Sequence, residues 1–371
     1  MKITELRTPA LLVDLEKLKK NCDDMIGRCK TIGVVLRPHM KTHKTLEAAH
    51  YMTGGTKTCI VVSTLSEAEF YADGGYDDIT YGFPITPDKL PQAANLVKRL
   101  EKFHVFVDNG VILKALVDFS LPEGKKWSVF LKVDCGNGRA GVLCDDPQAI
   151  TLAKAITSET SLMFAGLYLH CGDSYRATGE DSIRKHGKTT YERIVGLVNR
   201  LKESGIVCPM VGVGSTPNCS KPIPDIQGIT EFHPGNYVFY DYQQTLTGSC
   251  KIENVAVKVL TRVIGVYPSK GQILVDCGFT ALSHDGMRRL PQDNFCFIDG
   301  HPNLKMVAMT QEIGKIMTAN DNDPIDYSKY PIGSFLWIIP FHSCATACMH
   351  PVYYVHNGED VVEKWVPNRG W

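Results

Sequence analysis

Eight short apolar runs recur in the first two-thirds of the chain, and helix-like stretches separate most of them. The runs are residues 33–37, 57–63, 78–83, 103–108, 127–134, 163–170, 209–214 and 230–239. Strands that alternate with helices are typical of a parallel sheet. Eight such units predict an α/β fold with a closed (β/α)8 TIM-type barrel over residues 20–245, and an open doubly wound sheet is the alternative.

The sequence changes character after residue 245. The segments "ENVAVKVLTRVIGVYPSKGQILVDCG" and "GSFLWIIPFHS" are rich in β-branched and aromatic residues, and they show little helical pattern. Such segments favour strands joined by turns. A second, β-rich domain is therefore predicted over residues 246–371, and residues 1–19 are expected to join it.

The composition bounds the possible partners and the location. The chain of 371 residues carries 40 basic and 40 acidic side chains, so it offers no general electrostatic attraction for nucleic acid or an anionic membrane. No apolar run approaches the roughly 18 residues that a membrane helix needs, and the N-terminus does not resemble a signal peptide. The 13 cysteines are scattered, which indicates reduced thiols and a cytoplasmic protein.

Polar segments follow five of the predicted strands, where the chemistry of a (β/α)8 barrel lies. They are "RPHMKTHK" (37–44), "VDCGNGRAG" (133–141), "YLHCGDSY" (168–175), "GVGSTPN" (212–218) and "EFHPGNY" (231–237). The loops after strands seven and eight often bind phosphate in such barrels, and small residues let backbone N–H groups approach an anion. Ser215, Thr216, Gly235 and Asn236 are therefore candidate phosphate ligands, with ordinary turns as the alternative.

A lysine near a phosphate site suggests pyridoxal phosphate (PLP), whose aldehyde reacts with a neutral amine. Lys41 follows the first predicted strand, and Arg37, His39 and His43 around it are cations that would favour the neutral amine. A solvated surface charge is the alternative interpretation of Lys41. Lys44 is the other lysine of this segment that could bind the cofactor.

These segments resemble D-serine dehydratases and D-threonine aldolases, which are fold-type III PLP enzymes with alanine racemase as a more distant relative. The resemblance runs through "TPALLVDLEKLKKN", "RPHMKTHK", "VDCGNGRAGV", "YLHCGDSY", "GSTPN", "HPGNYVFYD", "DCGFTALSHDG" and "PFHSCA", which together span almost the whole chain. It implies a barrel plus a β-domain, a homodimer, and PLP bound to Lys41 as a Schiff base.

The same resemblance implies further cofactor contacts. Arg139 is similar to the racemase arginine that lies beside the phenolic oxygen of the cofactor, and a surface salt bridge is its alternative role. Tyr168 and His170 stand at the end of the sixth strand, within reach of the ring, although His170 could equally be a core histidine. Tyr237 of "HPGNY" is included among the cofactor-binding residues. His233 stands where alanine racemases place an arginine against the pyridine nitrogen, so Tyr168 is another possible partner of that nitrogen.

The segment "FHSCATACMH" contains four potential metal ligands, His342, Cys344, Cys348 and His350. An extended chain would separate residues 342 and 350 by roughly 26 Å, too far for one ion unless a tight turn intervenes. His342 and Cys344 would share one face of a strand, and an imidazole beside a thiolate suits zinc. The resemblance implies that His-x-Cys marks zinc-dependent D-serine dehydratases, whereas the aldolases carry His-x-Asp.

The resemblance thus implies a PLP- and zinc-dependent lyase that converts D-serine to pyruvate and ammonia. Lys41 is the predicted catalytic base, and zinc is predicted to assist the departing hydroxyl. An aldolase that splits D-3-hydroxy amino acids is the nearest alternative. A non-catalytic PLP carrier, which would need neither His342 nor Cys344, is the alternative from a different class. The expected partners are a small D-amino acid and a second copy of the chain.

Overall fold

The computed structural model describes residues 1–286, 294–320 and 322–371. These residues form two compact units. The first comprises residues 22–237, 247–249 and 368–371, and the second comprises residues 1–21, 238–246 and 250–367. The predicted domain bounds, residues 20–245 for the barrel and residues 1–19 and 246–371 for the β-rich domain, stay a prediction.

The strands of the described residues, numbered along the chain, are β1 Ala10–Asp14, β2 Val35–Leu36, β3 Ile60–Val62, β4 Asp78–Pro84, β5 Lys102–Val107, β6 Trp127–Asp134, β7 Val142–Leu143, β8 Leu162–His170, β9 Met210–Gly214, β10 Glu231–Phe232, β11 Val257–Tyr267, β12 Gln272–Val275, β13 Cys296–Ile298, β14 Leu304–Met309, β15 Gly314–Thr318, β16 Phe335–Pro340, β17 Tyr353–Asn357 and β18 Asp360–Trp365.

The α-helices are α1 Leu15–Ile32, α2 Leu46–Met52, α3 Leu65–Asp73, α4 Leu90–Arg99, α5 Gly110–Asp118, α6 Pro147–Ser158, α7 Glu180–Glu203, α8 Thr216–Ser220, α9 Tyr242–Thr247, α10 Phe279–Leu282 and α11 Ser343–Met349. Within the described ranges, none of them combines the length and the hydropathy that crossing a membrane requires.

The first unit is the predicted (β/α)8 barrel. Its parallel strands run in the order β2-β10-β9-β8-β6-β5-β4-β3, and β7 pairs with β6. An isolated parallel bridge between His39 and Val61 joins the two ends of this order and closes the sheet. The eighth strand is shorter than the predicted 230–239. Only Glu231–Phe232 joins the ladder, because Pro234 has no N–H to donate and a 3-10 turn begins at Asn236.

Local sequence explains where several helices of the barrel begin. The side chains of Thr45, Thr64, Asn109 and Asp146 accept backbone N–H groups at the starts of α2, α3, α5 and α6. Such N-caps satisfy donors that a helix leaves unpaired. Inside the barrel, the strands bury a cluster of apolar and aromatic side chains, Val61, Phe106, Phe130, Ala165 and Tyr168. Alternating strands and capped helices therefore direct the carboxyl ends of all eight strands to one rim.

The second unit is a mixed β-sheet. Its strands run in the order β14-β15-β12-β11-β1-β17-β18, and β16 pairs with β11 and β13. β1, from the N-terminal segment, pairs antiparallel with β11 and parallel with β17. The Asp276 carboxylate accepts hydrogen bonds from the hydroxyls of Thr8 and Thr261 at 2.5 and 2.6 Å. The N-terminal segment is thus tied into the β-rich unit.

Candidate active site

Arg37 is the first residue after β2, and its side chain is buried inside the barrel. The guanidinium forms ion pairs with Asp78 on β4 and, at 2.8 Å, with Glu231 on β10. Burial disfavours the charged form, but Glu231 and Asp78 outweigh it and raise the pKa of Arg37. These two ion pairs fix the position of Arg37, which precedes Lys41 by four residues.

Lys41 lies in a short 3-10 turn, Met40–Thr42, on the rim of the barrel. Its backbone N–H donates to Nδ1 of His39 at 3.4 Å. The side chain is exposed, and its ammonium group has no hydrogen bond or ion pair with any described residue. The amine is therefore accessible to an incoming aldehyde.

The two histidines of "RPHMKTHK" do not act as cations. Burial, followed by the charge of Lys41, lowers the pKa of His39 well below its usual value. Burial lowers the pKa of His43 to about 3. The expectation that Arg37, His39 and His43 exert positive charge on Lys41 is therefore wrong. Burial neutralises the histidines, and two carboxylates compensate the arginine.

Lys44 has a structural partner, in contrast to Lys41. Its backbone is left-handed (φ 56°), and its ammonium group lies 3.0 Å from a carboxylate oxygen of Glu67. The Glu67 side chain is fully buried, and its other oxygen accepts the backbone N–H of Ser63 at 3.0 Å. The Lys44 carbonyl accepts the backbone N–H of Asn368 at 2.7 Å. Lys44, the second lysine of the segment, thus has a structural role: it pairs with Glu67 and binds the backbone of Asn368.

Arg139 lies on the loop after β6, and Asp134 organises that loop. The Asp134 carboxylate accepts the backbone N–H groups of Gly136, Asn137 and Arg139 at 2.9, 2.7 and 3.1 Å. Arg193 of α7 donates to a backbone carbonyl of the same loop at 2.7 Å. The Arg139 side chain itself is exposed. The backbone is therefore held in place while the guanidinium stays accessible.

Tyr168 on β8 and His233 after β10 stack inside the barrel, with ring centroids 3.8 Å apart and an interplanar angle of 10°. Burial lowers the pKa of His233 to about 3 and raises that of Tyr168 well above its usual value. Nε2 of His233 is buried, and no described residue hydrogen-bonds to it. The pair is a neutral aromatic layer with one unsatisfied polar atom.

The loop after β9 offers one free hydroxyl. Ser215 is the N-cap of α8, where its Oγ accepts the backbone N–H of Asn218 at 3.3 Å and lies 2.8 Å from Oγ of Ser174. Oγ1 of Thr216, by contrast, is buried and finds no partner in the described part of the chain. The Thr216 hydroxyl is therefore a stronger candidate ligand than the Ser215 hydroxyl.

The loop after β10 places Gly235, Asn236 and Tyr237 in a buried turn. A Cβ atom at position 235 would lie 2.9 Å from the carbonyl oxygen of His39. Close packing against His39 thus requires glycine here, which is a different reason from the approach of an anion predicted from the sequence.

The electrostatic surroundings of two histidines show which predicted residues lie together. After burial, the groups that lower the pKa of His39 are Lys41, His233, His170 and Arg139. For His170, they are Arg139, Lys41, Lys132 and His233, again after burial. The structure therefore brings Lys41, Arg139 and His170 into one region of the barrel.

His342 and Cys344 belong to the second unit, where the predicted strand is wrong. β16 ends at Pro340, His342 is extended, and Cys344 lies in the first turn of α11. Asp241 starts this helix, because its carboxylate accepts the backbone N–H of Ser343 at 2.9 Å. The same-face argument for a strand does not apply, yet the His342 imidazole and the Cys344 thiol still hydrogen-bond to each other.

The surroundings of His342 favour a two-residue donor pair over a four-residue site. Asp285 hydrogen-bonds to its Nδ1. Burial opposes protonation, but Cys344 and Asp285 raise the pKa of His342 well above its usual value. His350 is occupied elsewhere, with Nε2 lying 2.8 Å from the Ala281 carbonyl. Among residues 1–286, 294–320 and 322–371, no group of three or more His, Cys, Asp or Glu side chains is placed to hold a metal ion.

Three carboxylates of this arrangement were not identified from the sequence. Asp134 had a local signal, because an acidic residue before a glycine-rich loop often accepts backbone N–H groups. Glu67 and Asp285 had none, since Lys44 lies 23 residues and His342 57 residues away in the chain. Their importance comes only from contacts made in the folded protein.

The barrel residues fit PLP. The Thr216 hydroxyl and Nε2 of His233 are buried without partners among the residues described, and such atoms cost free energy unless a ligand or water satisfies them. The donor set of His342 and Cys344 fits zinc by ligand type. It supplies two of the usual four ligands, so the others would come from water or substrate.

Comparison with known proteins finds two family models that match the two parts of the chain. The family model "Alanine racemase, N-terminal domain" matches residues 13–243, and "Putative serine dehydratase domain" matches residues 256–356. A D-serine dehydratase from Dictyostelium discoideum is 38% identical over 391 aligned residues, which cover 100% of this chain and 98% of that protein.

Solved structures agree with the sequence relatives. D-threo-3-hydroxyaspartate dehydratase from Delftia sp. HT23 superposes with a TM-score of 0.93 at 31% identity, covering 100% of both chains. A cysteine-to-alanine variant of a D-threo-3-hydroxyaspartate dehydratase in the metal-free form gives a TM-score of 0.93 at 30% identity, again covering 100% of both chains. The fold is therefore that of an alanine racemase-like barrel protein with a dehydratase-type second domain. The chain belongs to the D-serine dehydratase family, which confirms the resemblance seen in the sequence.

Proposed function

We propose that this protein is a D-serine dehydratase that converts D-serine to pyruvate and ammonia with PLP and zinc. One observation carries the assignment of the cofactor lysine. Lys44 is ion-paired with buried Glu67, whereas the Lys41 amine has no partner among the described residues and lies near Arg139 and His170. Family membership supports the reaction.

The chain's own residues would hold the cofactor through its aldehyde carbon, its phenolic oxygen and its phosphate. Lys41 Nζ would attach it covalently, and Arg139 would lie beside its phenolic oxygen. The Thr216 hydroxyl and the backbone N–H groups at 235 and 236 would bind the phosphate. The remaining predicted contacts are Tyr168, His170, Ser215 and Tyr237, with neutral His233 facing the ring. When bound, PLP supplies an electron sink for charge that develops on the substrate α-carbon.

Proton transfer falls to Lys41. The reaction needs a base at the α-carbon, and Lys41 would take that proton. The buried layer of Tyr168 and His233 is neutral and excludes water from the interior of the barrel. Loss of water from D-serine leaves 2-aminoacrylate, whose hydrolysis consumes one water and releases pyruvate and ammonia.

The metal would be held by His342 and Cys344. Asp285 on Nδ1 orients the imidazole and leaves its other nitrogen for the ion, as carboxylates do behind many metal-bound histidines. Zinc, when bound, supplies Lewis-acid stabilisation to a departing hydroxyl, which is a poor leaving group.

The second candidate function is dehydration of D-threo-3-hydroxyaspartate, the activity in the name of the Delftia relative. The aldolase alternative is less favoured, because Cys344 occupies the position at which the resemblance places aspartate in aldolases. The decisive experiment incubates the holoenzyme with D-serine, L-serine, D-threonine and D-threo-3-hydroxyaspartate, with and without a chelator. We expect pyruvate from D-serine, none from L-serine, and loss of activity with the chelator. Glycine and an aldehyde from D-threonine, without pyruvate from D-serine, would contradict the proposal.

Two matched variants test the cofactor lysine. Lys41→Ala should lose both turnover and the cofactor that borohydride fixes to the protein. Lys44→Met should keep that adduct while losing thermal stability, because buried Glu67 is left without its cation. Peptide mapping of the reduced protein locates the adduct, and an adduct on Lys44 would overturn the assignment.

We also propose that the protein is a homodimer in the cytoplasm. The resemblance to the family supports the dimer, and the scattered cysteines support a reducing compartment. Light scattering of the purified holoenzyme measures the mass directly, and a mass near the 41.1 kDa of one chain would contradict the dimer.

A further inference from the structure

His39 is the residue at which the barrel closes. Its backbone N–H donates to the Pro234 carbonyl at 2.9 Å, on the side of β10. On the other side it pairs with Val61 of β3 in an isolated parallel bridge. One residue thus joins the two edges of the sheet immediately before the turn that carries Lys41.

The imidazole of His39 is engaged at both nitrogens. Nδ1 accepts the backbone N–H of Lys41 at 3.4 Å, and Nε2 lies 3.3 Å from Oγ of Ser63. An acceptor at Nδ1 places the proton of the neutral ring on Nε2, which then donates to Ser63. The backbone N–H of Ser63 in turn donates to buried Glu67 at 3.0 Å. The ring is therefore anchored to Ser63, the residue after β3, which is itself bound to Glu67 of α3.

Two glycines, Gly82 on β4 and Gly235 in the loop after β10, make room for His39. A Cβ at Gly235 would lie 2.9 Å from the His39 carbonyl oxygen and 3.1 Å from its Cβ. A Cβ at Gly82 would lie 2.6 Å from Cγ1 of Val61 and 3.3 Å from Nε2 of His39. Neither glycine has a backbone φ that demands glycine, so the small residue is needed for the close approach itself. Backbone pairing, hydrogen bonds to the ring and close packing of neighbouring residues thus all fix the position of His39.

We propose that His39 is a positioning residue for Lys41: its imidazole, anchored on Ser63, sets the direction in which the Lys41 amine leaves the turn. Attack of an amine on an aldehyde requires the reacting atoms to approach in a narrow range of geometries, so a small misplacement slows it. The inference rests on the proposed function, in which Lys41 carries PLP. It assigns a role to a second residue of "RPHMKTHK": Lys41 transfers the proton, and His39 orients Lys41.

Four variants of the holoenzyme separate the contacts. His39→Ala removes both ring contacts, and Ser63→Ala removes the anchor. His39→Asn keeps a good N-cap acceptor for the Lys41 N–H but is too short to reach Ser63. His50→Gln is the matched control, because His50 is an exposed histidine on α2.

The readouts are the rate at which hydroxylamine removes PLP and the visible circular dichroism of the bound cofactor. Once Lys41 is misplaced, it recaptures the aldehyde less efficiently. We therefore expect release about tenfold faster in His39→Ala, in line with the loss of an N-cap, and a weaker dichroic band. The release rates and dichroic bands of Ser63→Ala and His39→Asn should lie between those of His39→Ala and the wild type. Those of His50→Gln should match the wild type. kcat should fall while KM stays near its original value.

The outcomes are distinguishable. Wild-type release rates and dichroism in His39→Ala and Ser63→Ala, accompanied only by lower thermal stability, would mean a purely structural role and would overturn the inference. If His39→Ala does not fold, Ser63→Ala and His39→Asn decide the matter by the same two readouts. A covalent cofactor that persists in Lys41→Ala would instead refute the proposed function itself.

Discussion

Replacing Arg37 by methionine keeps an unbranched apolar side chain in place of the aliphatic part of the arginine and removes the cation that lies between Asp78 and Glu231. The side chains of Arg37 and Glu231 are 2% and 3% exposed, and that of Asp78 is 10% exposed. Removing one partner of a buried ion pair costs about 3–5 kcal/mol, because the remaining charge stays in a medium of low dielectric. Two carboxylates lose the same cation here. We therefore expect the barrel to lose at least about 4 kcal/mol of stability near neutral pH.

The loss should depend on pH. Burial opposes ionisation of Asp78, but His104 and Arg37 lower its pKa below the ordinary value, so ionised Asp78 stabilises the native barrel above pH 3.8. That contribution disappears as the pH falls through the native pKa. Burial outweighs Arg37 at Glu231 and raises its pKa. Without Arg37, the effect of burial on the pKa of Glu231 is no longer offset by that cation, so the native pKa rises further. A carboxyl group whose native pKa lies above its unfolded pKa destabilises the native state at pH values above the unfolded pKa. The deficit of the variant should therefore shrink as the pH falls toward about 5.

Native-state hydrogen exchange at amides of β4 and β10 measures the free energy of opening the barrel itself. Arg99→Met is the matched control, because Arg99 pairs with Asp73 on the surface, where the two side chains are 47% and 69% exposed. It should cost less than about 1 kcal/mol. A deficit of Arg37→Met no larger than that of the control would refute the reasoning. So would an equal deficit near pH 5 and near pH 7.

Three further predictions concern the two candidate sites. Gly235→Ala should push against the His39 carbonyl, at a cost of about 1–3 kcal/mol, and weaken PLP binding; unchanged affinity in a titration of the apoprotein would count against the packing argument. Asp285→Asn should lower zinc affinity about 10–100-fold in a chelator competition, since the imidazole of His342 loses its orienting carboxylate, and an unaltered affinity would exclude that role. Cys344→Ala should lose far more activity on D-serine than on β-chloro-D-alanine, because chloride leaves with little electrophilic help. Equal losses with PLP still bound would rule out Lewis-acid assistance.

The barrel and the position of Lys41 on its rim followed from sequence alone. Runs of β-branched and apolar residues alternate with helical segments whose caps lie within a few residues of each helix, so the determining interactions are local. The carboxyl ends of parallel strands share one rim, which is why Lys41, Arg139 and His170 could be predicted to lie together. Five of the eight motifs that carry the family resemblance lie at the same strand ends.

The charge state and partner of each side chain were decided only by tertiary structure. His39 and His43 looked cationic in sequence, but burial makes them neutral. Lys44 and Lys41 were both candidate cofactor lysines in the sequence, but in the folded protein Lys44 forms an ion pair with Glu67. The segment after β16 looked extended, because strand-forming residues precede it. Asp241, about a hundred residues earlier, accepts the Ser343 N–H and starts a helix there instead. Solvation and ion pairing depend on which distant groups meet in the folded chain, and no local pattern of residues records that.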